Sequence, residues 1–304
     1  MAEPERIAAP GPQSLGRKVV VVALLAICVF ALLSVLGDVR ALGRSLAQFQ
    51  LSALGLALSL VLCNYALRLA RWQYYLRTLG VRVDLGLSAL VFLSGFIMSV
   101  TPGKMGEVFK SYLLQQYRGI AIERTVSAVV AERLLDLVAL VVLVSWAGAG
   151  FPDGRWVAAS GAVLVAAVVI ACTVHPLGSW LLGRLAHVRL LARLVPKLQH
   201  AYDSLNELTR PGPFVVGALL ALMGWFLECT ATFCLVRGFG DQIMSLAGAS
   251  YAYAAGTLAG AVAMLPGGLG VAEIGMSGLF RVASPELPLS VAAAVTILVR
   301  LCTL

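Results

Sequence analysis

The sequence predicts an all-α polytopic membrane protein, with about six full spans and two re-entrant broken-helix hairpins arranged as an inverted repeat. Three observations lead there. Of the 304 residues, 60% are hydrophobic and only 12% charged, with a mean hydropathy of +0.91, whereas a soluble domain carries about a quarter charged residues. Several apolar stretches reach the roughly 20 residues that a helix needs to cross a bilayer core, and none alternates with the period of two expected of a membrane barrel. Finally, two apolar runs are broken by proline and glycine: Thr101-Pro102-Gly103-Lys104-Met105-Gly106-Glu107, and Leu265-Pro266-Gly267-Gly268-Leu269-Gly270-Val271-Ala272-Glu273. Paired interruptions of this kind, one in each half, point to a transporter binding site.

Residues 1–16 form a polar, Pro/Ala-rich tail expected to be disordered. Residues 17–304 form one transmembrane domain, with a first half of about 17–146, a second of about 156–304, and a basic interfacial loop at 175–211. The run from Val19 to Leu36 is too long for a signal-peptide core and is expected to be a retained span. The second span, about Leu51 to Leu67, ends in Arg68, Arg71, Trp72, Tyr74, Tyr75 and Arg77, a mixture that reads as an interfacial belt. The first broken segment runs from Leu85 to Tyr117, followed by spans at about Val126 to Trp146 and Trp156 to Val174. In the basic loop Arg189, Arg193 and Lys197 recur every four residues, as in amphipathic helices lying on a membrane surface. A span at Phe214 to Val236 follows, then the second broken segment at Ser245 to Phe280 and a last span from Pro288.

The net charge of +8 would raise nucleic acid as a partner in a soluble chain. Here it reads as topology, and no nucleic acid is expected. If both breaks return to the side they came from, 15 of the 23 Lys and Arg fall on one side and five on the other, with Lys104, Arg133 and Arg300 at membrane depth. The positive-inside rule then makes the richer side, which includes the N-terminus, cytoplasmic, and the chain a multi-pass protein of the cell (inner) membrane. In that topology the two breaks approach from opposite sides. An internal echo agrees: Glu107 precedes Arg133 by 26 residues and Glu273 precedes Arg300 by 27.

The charges at membrane depth are the candidate site, because each costs about 2.5–3.5 kcal/mol on insertion scales. Broken backbone needs protein or a watery cavity to satisfy its amides, and restarted helix N-termini attract anions. The candidate substrate-binding residues are therefore Pro102, Gly103, Lys104, Gly106, Glu107, Glu132, Arg133, Asp136, Glu228, Pro266, Gly267, Gly268, Gly270, Glu273 and Arg300. Arginine forks at positions 133 and 300 suit phosphate oxygens. Glu107 and Glu273 either serve a substrate or are fixed partners of those arginines and caps of the restarted helices. Glu132 and Asp136 are either site residues or an ion-pair cluster, Glu228 either a site residue or a helix-to-helix hydrogen bond, and Asn64 helix–helix glue. No catalytic motif, metal site or cofactor motif is expected. The six cysteines (Cys28, Cys63, Cys172, Cys229, Cys234, Cys302) lie in apolar segments without CxxC spacing, and His175, His187 and His200 are spaced unlike metal ligands.

The ordered set of Arg71-Trp72, Pro102 to Glu107, Ala131-Glu132-Arg133-Leu134-Leu135-Asp136, Leu265 to Glu273 and Arg300 resembles the lysylphosphatidylglycerol synthase transmembrane-region family, also described as flippase-like. The resemblance covers nearly the whole chain from Val19. In fused members a cytosolic domain makes aminoacylated phosphatidylglycerol and the membrane part moves the lipid between leaflets. These 304 residues contain no counterpart of that domain, so the resemblance implies lipid translocation and no synthase activity. The expected substrate is an anionic amphiphile such as a phospholipid or polyprenyl-phosphate lipid, with further anionic headgroups at the basic loop. A homo-oligomer or a lipid-synthesis enzyme partner is compatible with the sequence. Competing readings are a lipid-modifying enzyme with Glu107 or Glu273 as base, a transporter of a small solute, and a non-transporting partner of a lipid-synthesis complex. Because Leu304 follows Arg300 so closely, the sequence is expected either to be cut short or to end within the bilayer.

Overall fold

The computed structural model describes residues 39–97, 107–151, 154–173, 195–240, 244–263 and 268–303. The tail, the run from Val19 to Leu36, Arg189 and Arg193 of the basic loop, and the candidate residues Pro102, Gly103, Lys104, Gly106, Pro266 and Gly267 lie outside them. Among the described residues every regular element is a helix: α1 (Val39–Ala47), α2 (Leu51–Thr78), α3 (Leu85–Ile97), α4 (Phe109–Arg118), α5 (Ile122–Gly148), α6 (Gly154–Thr173), α7 (Val195–Leu208), α8 (Pro211–Arg237), α9 (Leu246–Val262), α10 (Val271–Ala283) and α11 (Leu289–Thr303).

The centre is the antiparallel pair α2 and α8. At 28 and 27 residues with mean hydropathies of 1.7 and 1.8, both are long and apolar enough to cross a bilayer core of roughly 30 Å. Lipid gives apolar faces little reason to associate, so such helices meet through small residues and close backbone approach. Glycines on α8 serve that purpose. A Cβ on Gly217 would collide with the Tyr75 hydroxyl and Leu135, and one on Gly224 with Asn64 of α2. Leu51, Leu56, Leu58 and Leu62 cover the outer face of α2 and are exposed.

Both interrupted segments fold back on themselves. In the first, α3 packs against α4, and Gly95 leaves room for the Lys110 stem, whose Cγ would lie 2.5 Å from any added Cβ. In the second, α9 packs closely along α10, with Gly256 opposite Met276 and Gly260 opposite Ala272. Gly268 and Gly270 turn the chain into α10 at φ of 70° and 88°, left-handed geometry that a Cβ makes costly. The order long helix, hairpin, helix therefore occurs twice, as α2, α3–α4, α5 and as α8, α9–α10, α11, with α6 and α7 between. Arg133 and Arg300 each stand eleven residues after the first residue of their helices, Ile122 and Leu289.

Two expectations change. The second span does not stop near Leu67: α2 runs on to Thr78, and Arg71, Trp72 and Tyr75 are 1%, 0% and 0% exposed. They are not membrane-interface anchors, because the face they share is covered by α5 and α8. The expected six spans are not all carried by helix length and hydropathy either. Among the described residues only α2 and α8 meet both criteria; α5 matches their length but holds Glu132, Arg133 and Asp136, and α11 has 15 residues.

Candidate functional site

Three helices assemble a buried charge cluster in the first half. On α2, Asn64, Arg68 and Arg71 follow the i, i+4, i+7 spacing of one helix face. On α5, Glu132 and Asp136 share a face beside Arg133. Glu107 and Lys110 come from the start of the second arm of the first hairpin. Asp136 gathers three arginines: Arg71 at 2.7 Å, Arg133 at 3.2 Å and Arg68 at 3.5 Å. Arg133 also clasps Glu107 with both its Nε (2.8 Å) and Nη2 atoms. Lys110 Nζ lies 2.7 Å from Glu132 and 4.3 Å from the centre of the Trp72 ring.

Four cations thus face three carboxylates, an excess of one positive charge, with Arg71 and Lys110 buried and Arg133 partly exposed. The pairing leaves capacity unused, since Arg71 Nε and Nη1 and Glu132 Oε1 are buried without a hydrogen-bond partner. The space between Arg68, Phe92, Glu107, Lys110, Glu132 and Arg133 is only about 10 Å³, roughly one water molecule. A phosphate headgroup does not fit until some of these pairs separate.

The second half carries a sparser version. Glu273 is fully buried on α10, accepts the Gly270 N–H at 2.6 Å and stands 2.6 Å from Arg300 Nε on α11. It therefore both caps its restarted helix and neutralises the arginine. Between the halves sits Glu228 of α8, which accepts hydrogen bonds from Asn64 of α2 and Tyr253 of α9. Tyr253 is within electrostatic reach of Arg300, and Arg68 within reach of Glu228, Glu107, Glu132 and Asp136. Arg68 also lies 6.0 Å from the Trp225 ring centre. The seam from one arginine pair to the other runs through Glu228.

Of the candidate residues, Glu107, Glu132, Arg133 and Asp136 come together, Glu273 joins Arg300 beside the Gly268–Gly270 turn, and Glu228 bridges. Of the two readings left open for Glu107 and Glu273, the structure shows the pairing one: Arg133 and Arg300 are each occupied by their own glutamate. Arg68, Arg71, Lys110 and Tyr253 belong to the site and were missed. The helical spacing of Asn64, Arg68 and Arg71 was the available signal for two of them. Among the described residues no three His, Cys, Asp or Glu side chains converge on a metal geometry.

A UPF0104 membrane protein of Methanothermobacter thermautotrophicus is 28% identical over 267 residues, 78% of this chain and 76% of that protein. A UPF0104 membrane protein of Methanocaldococcus jannaschii is 25% identical over 253 residues, covering 76% and 74%. A second one from Methanothermobacter thermautotrophicus is 24% identical over 280 residues, covering 86% and 82%. The family described as lysylphosphatidylglycerol synthase TM region matches residues 19–304, so the charged helices α2 and α5, both hairpins and Arg300 all fall within the match. This membrane protein belongs to the lysylphosphatidylglycerol synthase transmembrane-region family.

Proposed function

We propose that the chain moves an anionic amphiphile, a phospholipid or polyprenyl-phosphate lipid, between the leaflets of the cell membrane. The observation that carries the reading is the repeated latch: a hairpin glutamate holding an arginine that stands eleven residues into the next helix, once in each half. A phosphate diester offers an arginine the same fork of oxygens that a carboxylate does. An arriving headgroup can therefore take the place of Glu107 on Arg133, or of Glu273 on Arg300, without leaving a guanidinium bare. Removing one partner of a buried pair outright costs about 3–5 kcal/mol; the headgroup spares the arginine that cost, and the displaced glutamate then needs another partner.

In this reading the halves are inverted repeats, the hairpins re-enter from opposite sides, and the N-terminus is cytoplasmic. Arg68, Arg71 and Lys110 belong to the core and no longer count towards topology, which leaves twelve basic residues against five, the same bias. Glu228 couples the halves because its two donors sit on different helices. The lipid tails stay in the bilayer while the headgroup passes from the first latch to the second.

The test is a leaflet-sidedness assay in reconstituted vesicles with a labelled anionic phospholipid. Wild type is expected to equilibrate the label, and Arg133→Ala and Arg300→Ala to slow it at least tenfold. Equal movement in all three proteins removes the latches from the mechanism. A new lipid species in the same vesicles, found by mass spectrometry, would instead favour a lipid-modifying enzyme.

A further inference from the structure

Counted across both halves, the charges of the core balance only while Glu228 is ionised. The first cluster carries four cations, Arg68, Arg71, Lys110 and Arg133, against Glu107, Glu132 and Asp136, and in the second half Glu273 offsets Arg300. Glu228, 4% exposed on α8, is the carboxylate that brings this set to five against five among the described residues. Net charge at membrane depth is expensive. A headgroup with one negative charge unbalances the set by one, and a proton on Glu228 restores it.

The surroundings of Glu228 suit a carboxyl that gains and loses a proton. Its Oε1 accepts from Asn64 Nδ2 on α2, and its Oε2 accepts from the Tyr253 hydroxyl on α9. Gly224, one turn earlier on α8, leaves the room that Asn64 occupies, and Asn64 and Tyr253 are both buried. An amide N–H can only donate, whereas a hydroxyl donates or accepts. A proton on Oε2 therefore leaves the Asn64 bond in place: the new Oε2–H donates to the Tyr253 oxygen, and the Tyr253 hydroxyl hydrogen rotates away. The charged and titratable groups around Glu228 come from the helices packed against α8. They are Tyr65 and Arg68 on α2, Glu132 and Asp136 on α5 through Arg68, Tyr253 on α9, and Arg300 and Cys302 on α11, with Cys229 on α8 itself. On α7, which leads into the start of α8, His200, Asp203 and Glu207 are exposed. Arg68 and Arg300, paired with Asp136 and Glu273, belong to different halves, so the charge on Glu228 acts on both latches.

We propose that Glu228 takes up one proton for each negative charge that the headgroup brings into the core, so that headgroup and proton cross together as an electroneutral pair. The proton comes from water on the side where the headgroup enters and returns to water on the side where it leaves. Glu228 is then ionised again in the empty protein. The proposal rests on the translocation reading, and the experiment separates failure of one from failure of the other.

Vesicles containing the full chain and a labelled phosphatidylglycerol, whose headgroup carries one negative charge, are given either a pH gradient or a membrane potential, with protein-free vesicles as the baseline. Wild type is expected to accumulate the label in the leaflet facing the alkaline side, about tenfold per pH unit, since one proton per lipid converts each unit into a factor of ten. The potential is expected to have no effect. Label that equilibrates but ignores the pH gradient, or follows the potential, overturns the proposal and leaves translocation standing. Label that never moves in wild type overturns translocation, and the proposal with it. Infrared spectroscopy of the detergent-solubilised chain identifies the proton's site. Dihexanoyl phosphatidylglycerol is expected to bring up the C=O stretch of a neutral carboxyl, told from the lipid esters by its shift in D2O. That band is expected to be missing in Glu228→Gln and displaced in Tyr253→Phe, which removes its hydrogen-bond partner. An unchanged band in either variant overturns the assignment to Glu228.

Discussion

The Lys110–Glu132 pair gives the sharpest test of how the first half is built, because the second half shows what an uncharged substitute looks like. Lys110 lies three residues after Glu107, and Met276 lies three after Glu273; Glu132 precedes Arg133, and Val299 precedes Arg300. Lys110 and Met276 both pack against a hairpin glycine, Gly95 or Gly256. At 2.7 Å and an effective dielectric constant of about 20, the direct attraction is roughly 6 kcal/mol, most of it offset by desolvation of two buried charges. Lys110→Met alone strands Glu132 and is expected to cost about 3–5 kcal/mol, including about 1 kcal/mol for the lost cation–π contact with Trp72. Glu132→Val alone strands Lys110 and is expected to cost as much. The double variant copies the second half and is expected to fall within about 1 kcal/mol of wild type. Denaturant unfolding of the four proteins in one detergent, read as a double-mutant cycle, measures the coupling. If the double variant loses the sum of the two single losses, the pair is not a self-contained unit and the correspondence between the hairpins is wrong.

Three further outcomes follow from named contacts. Gly270→Ala places a Cβ at φ of 88° and is expected to lower unfolding free energy by about 1–2 kcal/mol, measured in the same denaturant series; an unchanged midpoint would mean that α10 is entered differently. Glu228→Gln keeps the shape but offers one acceptor to two donors, Asn64 and Tyr253, and is expected to cost about 1–3 kcal/mol, with Glu228→Gln/Tyr253→Phe partly restored. Because the Leu87 N–H at 2.9 Å and Arg118 at 2.6 Å hold the carboxyl of Asp84 below its ordinary range, its contribution is complete above the usual aspartate pKa and fades as pH falls through the lowered value. Exchange of the Leu87 amide should therefore accelerate, relative to its neighbours, only under strongly acidic conditions, and Asp84→Asn should remove that pH dependence.

What the sequence made legible was local: the breaks, their glycines and the Glu-to-Arg spacing are set within one segment and the helix after it. Gly268 and Gly270 were recognisable because left-handed backbone has a composition signature. Arg68, Arg71 and Trp72 were misread because arginines and aromatics at a span's end look the same whether they face headgroups or a neighbouring helix. What decides between the two is a carboxylate on that neighbour, and Asp136 lies 65 residues further along than Arg71. Lys110 was lost in the same way, counted as topology when its partner Glu132 is on another helix. The Glu228 bridge depends on α2 and α8 packing antiparallel, which no local pattern specifies.

The two halves share a plan but not a charge load, and that difference bears on the proposed translocation. Around Arg133 stand Arg68, Arg71, Lys110 and three carboxylates; in the second half the positions that correspond to Lys110, Glu132 and Asp136 are Met276, Val299 and Thr303, and Glu273 pairs with Arg300. A ligand anion at the first latch is surrounded by cations that can re-pair as it arrives, Asp136 alone being shared by three arginines. At the second latch, displacing Glu273 leaves a carboxylate whose other contact is the Gly270 amide. Re-pairing is therefore cheap on one side and costly on the other, so under the proposed translocation an anionic headgroup is expected to rest in the first half and pass the second only briefly. Glu228 is hydrogen-bonded to both the charged helix α2 and the hairpin helix α9, so a proposed movement of one half against the other would have to break or carry one of those contacts.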